Sequence, residues 1–74
     1  METLKVTLIT IGDRSEIFIQ SGTTVSEAFR HAGLDVNWQN STAQNEETGV
    51  NMPASMPITK DGLTIKVSKV TTGN

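Results

Sequence analysis

The segment Ser21-Gly22-Thr23-Thr24-Val25-Ser26-Glu27-Ala28-Phe29-Arg30-His31-Ala32-Gly33 carries the clearest helix signal in the chain. Thr24 and Glu27 stand at capping-box spacing, in which each side chain can satisfy the other residue's free backbone N–H. Val25, Ala28, Phe29 and Ala32 follow at i, i+3, i+4 and i+7, which is one helical face. Gly33 stands where a left-handed residue commonly closes a helix. A helix of about three turns or fewer is unstable alone in water, so this one must dock on something supplied by the rest of the chain.

Upstream, Leu4 to Ile11 reads as a strand, with Leu4, Val6 and Leu8 alternating with Lys5, Thr7 and Ile9. Gly12-Asp13-Arg14-Ser15 is a turn cluster, and Glu16 to Gln20 reads as a second strand, making an antiparallel hairpin. Downstream, Leu34 to Gln39 is expected to form a third strand around Val36 and Trp38. Asn40 to Gly49 is polar and aperiodic, and reads as an exposed loop. Val50-Asn51-Met52 is a brief fourth strand, after which Pro53 and Pro57 bar regular pairing at their own positions. Asp61-Gly62 is a turn, Leu63 to Val70 is the best strand in the chain, and Thr71 to Asn74 is a polar tail. The expected order is β-β-α-β-β-β, one domain over residues 1–74.

This α+β pattern resembles the ubiquitin-like β-grasp family, particularly the sulfur-carrier type that includes the small subunit of molybdopterin synthase. The resemblance lies in the opening strand Leu4–Ile11, the helix entry Thr23-Thr24-Val25-Ser26-Glu27-Ala28, and the late turn and strand Ile58-Thr59-Lys60-Asp61-Gly62-Leu63-Thr64-Ile65. It implies a mixed sheet of four to five strands with the helix on one face and the last strand parallel beside the first. The family's carriers work through a terminal Gly-Gly. Here the end is Val70-Thr71-Thr72-Gly73-Asn74, so a carrier role would need Gly73 exposed by processing, with Thr71, Thr72 and Gly73 as the working tail.

The 74 residues allow one thin core. There are no cysteines, which removes disulfides and thiolate metal sites. Net charge is −2, and the six Lys and Arg residues are scattered rather than clustered, so nucleic acid is not an expected partner. No apolar run is long enough for a membrane span. The N-terminal residues lack the regions of a signal peptide, so a cytoplasmic location is the default expectation. Asn40-Ser41-Thr42 matches a glycosylation sequon, which without a secretion signal is read as chance.

Catalysis is not expected. His31 falls near the helix end, on the polar side opposite Phe29, where the helix dipole favours a cation. One histidine does not supply the usual metal set. Glu46-Glu47 are neighbours in a polar stretch, and Asp13 and Asp61 belong to turns, where such side chains commonly bond their own backbone. The glycines fit neither a P-loop nor a dinucleotide fingerprint. No catalytic residue, metal or cofactor is assigned.

Binding is therefore the leading expectation. With the turn at Gly12–Ser15, Ile9 would face Phe18 and Ile11 would face Glu16. Leu4, Val6, Leu8, Ile17 and Ile19 would point towards the helix, and Ile9, Ile11 and Phe18 away from it. Lys66 and Val70 share that outward phase. Ile9, Ile11, Phe18, Lys66 and Val70 thus form a candidate apolar surface for a protein partner, self-association included. The competing expectation is that residues 40–52, with Trp38 or Met52, fold over this face. Trp38 itself reads as a core or edge-strand residue. A site for a small ligand or glycan would fall in the polar loop Asn40–Gly49.

Overall fold

A computed structural model describes residues 2–69. The first two elements are β1 (Thr3–Thr10) and β2 (Asp13–Gln20), paired antiparallel from Thr3 opposite Gln20 to Thr10 opposite Asp13. The connection is Ile11-Gly12 alone, with Gly12 at φ +86° and Ile11 at negative φ. That is the φ pattern of a type II turn, which requires glycine at its second position. The expected turn at Gly12–Ser15 is thus corrected: Asp13, Arg14 and Ser15 are strand residues. The whole register moves by four, so Ile9 lies opposite Arg14, and Phe18 opposite Lys5. An even shift keeps every side chain on its face. Leu4, Val6, Leu8 and Ile19 are buried beneath the helix as expected, with Ile17 packed beside them.

Helix α1 (Val25–His31) carries the complete capping box. Thr24 Oγ1 accepts from the Glu27 N–H at 3.3 Å, and Glu27 Oε1 accepts from the Thr24 N–H at 3.2 Å. At the other end, the Gly33 N–H donates to Arg30 O and the Leu34 N–H to Phe29 O, both at 3.0 Å. This is a Schellman closure with Gly33 left-handed at φ +76°. The first-turn donors left over are satisfied by a strap, residues 54–58, running beside residues 22–26. Val25 N–H donates to Met56 O at 3.0 Å and Ser26 N–H to Ala54 O at 2.9 Å, while Ile58 N–H donates to Thr23 O at 2.8 Å. Buried Ile58 holds the strap to the core.

The expected third strand does not form. Leu34, Val36 and Trp38 do alternate inward and pack against the core, with the Trp38 ring edge-on to Phe29 at 5.6 Å. They lie outside the sheet, however, on the helix side. The third strand is instead β3 (Ser41–Asn45), inside the stretch expected to be a polar loop. Only Ala43 on it is buried, so its sequence carries no apolar alternation. β4 (Asn51–Met52) follows a turn in which Asn45 Oδ1 accepts from the Glu47 N–H at 2.9 Å.

β5 (Leu63–Lys69) runs parallel beside β1, with Val6 opposite Leu63 and Ile9 opposite Lys66. Its other edge pairs antiparallel with β3, giving the order β2-β1-β5-β3-β4. The mixed five-stranded sheet with one helix on one face is the arrangement the resemblance implied. Among the described residues no helix is long and apolar enough to cross a membrane.

Candidate interaction surface

The helix, the strap and the Leu34–Trp38 segment all cover one side of the sheet. On the other side, strand alternation places Arg14, Glu16, Phe18 and Gln20 of β2, Thr3, Lys5, Thr7 and Ile9 of β1, and Thr64 and Lys66 of β5. Residues 40–52 do not cover this face. They extend the sheet as β3 and β4, Met52 is buried in the core, and Trp38 packs on Phe29.

The candidate residues separate into distinct places. Ile9 and Lys66 are cross-strand partners and stand together, Ile9 half-buried and Lys66 exposed. Phe18 is 72 % exposed and sits opposite Lys5, four residues along β1 from Ile9, about 13 Å at the usual strand rise. Ile11 is 80 % exposed but stands at the tip of the hairpin turn, not on a strand. The expected continuous patch of Ile9, Ile11 and Phe18 is therefore corrected. The register that would bring them together required a turn two residues later than the Ile11-Gly12 pair makes it. Val70, Thr71, Thr72 and Gly73 lie outside the described residues.

Phe18 has charged company. Lys5 Nζ lies 3.3 Å from Glu16 Oε2, a diagonal pair across the hairpin with both side chains more than half exposed. Such a pair contributes between about 0 and 1 kcal/mol, so it orders the surface more than it stabilises the fold. The result is a ring standing in solvent beside a held cation and anion.

Two exposed apolar residues escaped the sequence reading. Val50 is 60 % and Met56 41 % exposed, and with Pro57 and Leu63 they line a shallow groove of about 170 Å³ on the β4 side. The Met56-Pro57 pair between two strand signals was the available hint. The reading of Asn40–Gly49 as one loop is corrected, because Ser41–Asn45 is strand with its backbone committed to β5 and β4.

His31 is exposed in the last helical turn, and Glu46 and Glu47 are exposed in the β3–β4 turn. Asp61 does not bond its own turn as expected. Its Oδ1 accepts from the Lys5 N–H at 2.7 Å, starting the parallel ladder. Among the described residues, no group of three or more His, Asp or Glu comes together. Hydrogen bonds from the Thr24 backbone and then its hydroxyl hold the Glu27 carboxyl below the ordinary glutamate value.

No family model matches the sequence, and no curated protein matches it. Among solved structures, the chain is similar to the N-terminal ubiquitin-like domain in the 4931431F19Rik protein, determined in solution. The TM-score is 0.61 at 16 % identity, over 97 % of this chain and 79 % of that one. At that identity the likeness speaks for the fold, and it agrees with the strand order and single helix found above. The chain has the ubiquitin-like β-grasp fold.

Proposed function

We propose that this chain is a non-catalytic interaction module that docks a protein partner on the open face of its sheet, with Phe18 as the anchor. The observation that carries the reading is the 72 % exposure of Phe18 on a face nothing else in the described residues covers. An aromatic ring costs little conformational entropy to bury and is enriched at interface centres. The Lys5–Glu16 pair beside it supplies a charged margin. Ile9 with Lys66 forms a second contact point on the same face, and Ile11 extends it at the hairpin tip. A cytoplasmic setting belongs to the same proposal.

The test is capture from the native host on immobilised wild type and on the Phe18→Asp variant. Loss of a specific captured protein, with an unchanged helical signal in circular dichroism, supports the reading. Equal capture by the folded variant removes it. Intact mass of the native protein tests the carrier alternative drawn from the family resemblance: a chain ending at Gly73, or a thiocarboxylate there, supports that alternative instead.

A further inference from the structure

The two edges of the sheet are unlike. The β4 edge is only two residues long and runs into Pro53, a common way of blunting an edge. The β2 edge is eight residues long, contains no proline, and pairs only with β1 among the described residues. Its hydrogen-bonding phase follows from one contact: the Ser21 N–H donates to Glu2 O at 2.9 Å. Ser21 is odd-numbered, so the odd residues of β2 exchange bonds with β1. The N–H and C=O groups of Arg14, Glu16, Phe18 and Gln20 therefore point outward along the free edge.

The sequence of that edge is nearly its own mirror image. Glu16-Ile17-Phe18-Ile19-Gln20 reads the same in both directions about Phe18, apart from the near-isosteric Glu and Gln at its ends. An antiparallel pairing of two copies related by a two-fold axis matches each residue with its reflected position. Centred on Phe18, it sets Phe18 against Phe18, Ile17 against Ile19 twice, and Glu16 against Gln20 twice. Like charges never meet. Shifting the axis to Glu16 would oppose two carboxylates, and shifting it to Ser15 would leave Phe18 beyond the paired strands.

We infer that β2 is a self-association edge: two copies pair antiparallel through it, with the axis at Phe18, and make one continuous ten-stranded sheet. The two Phe18 rings then stand side by side on the open face. This rests on the reading of that face as the docking surface and deepens it, because pairing turns a single exposed ring into a contiguous aromatic patch. The carbonyl of Gln20 already accepts from the Thr23 N–H at 3.0 Å, so the bonds of Phe18 and Glu16 lead.

The test uses the wild-type chain in a dilution series followed by amide NMR from about 1 mM downward, a range matched to weak self-association. The amides of Glu16, Phe18 and Gln20 shift with concentration, while those of Ser15, Ile17 and Ile19 shift much less. Two substitutions at an exposed position then move the dissociation constant in opposite directions. Gln20→Glu opposes Glu16 with a like charge on both sides and weakens pairing by about twofold to thirtyfold, and Gln20→Lys tightens it by a similar factor. A chain monomeric throughout, shifts without the odd–even alternation, or a dimer insensitive to both substitutions overturns the inference. Neither variant alters Phe18, so failure here alongside loss of capture by Phe18→Asp leaves the docking surface standing and removes only the edge.

Discussion

Replacing Ile58 by alanine asks whether the strap beside the helix is part of the fold or merely lies against it. Ile58 is only 1 % exposed, and its backbone bonds both Gly22 and Thr23 at 2.8 Å. Removing a fully buried isoleucine to alanine costs about 2–5 kcal/mol. A chain of 74 residues has about 4–11 kcal/mol of stability in all, at 0.05–0.15 kcal/mol per residue. The substitution should therefore remove between about a fifth and all of it. Urea unfolding followed by Trp38 fluorescence is a suitable assay, because this single tryptophan reports on its edge contact with Phe29. The slope with urea should stay the same, because the surface exposed on unfolding changes little. Hydrogen exchange adds the local signature: the Val25 and Ser26 amides, which donate to Met56 and Ala54, should lose more protection than those in the β1–β5 ladder. A loss under about 1 kcal/mol with an unchanged slope would refute the assignment of the strap to the cooperative core.

Two further substitutions probe the helix ends. Gly33→Ala places a side chain at φ +76° with open space around it, so the cost is backbone strain alone, about 1 kcal/mol by urea unfolding. Thr24→Ala removes the cap and costs about 1 kcal/mol by the same assay. It should also flatten an acid dependence. The Glu27 titration lies below its ordinary value in the folded chain, so its contribution is fully present above the unfolded value and is lost as pH falls through the folded one. Wild type should thus lose stability relative to Thr24→Ala as pH drops past the ordinary glutamate value, about 4.3. Parallel pH profiles for the two chains would contradict that linkage.

The helix was legible because its signals are local: Thr24 and Glu27 are three residues apart, and Gly33 follows the last inward residue by one. The first and last strands in the sequence were legible because Leu4, Val6 and Leu8, and then Ile65 and Val67, alternate against polar neighbours. β3 was not, because its one buried residue is Ala43 and the rest is polar; its place is decided by the backbones of β4 and β5, which no local pattern encodes. Leu34, Val36 and Trp38 show the converse, an alternation satisfied by packing without pairing. The docking face was half legible. Which side of the sheet each residue occupies follows from parity, and parity survived the register error. Which residues are neighbours depends on where the chain reverses, and the polar Asp13-Arg14-Ser15 run outweighed the Ile11-Gly12 pair in that choice.

The central ladder joins Val6 to Leu63, so the earliest and latest strands of the described chain become immediate neighbours. Closing a loop of that length costs about 3–4 kcal/mol in chain entropy before any contact rewards it. On a ribosome, the inner edge of β1 must wait, unpaired, until β5 has been synthesised. Folding of this small chain is thereby slower than that of chains held by local contacts, and the nascent hairpin is the stage at which it is most open to capture by other chains.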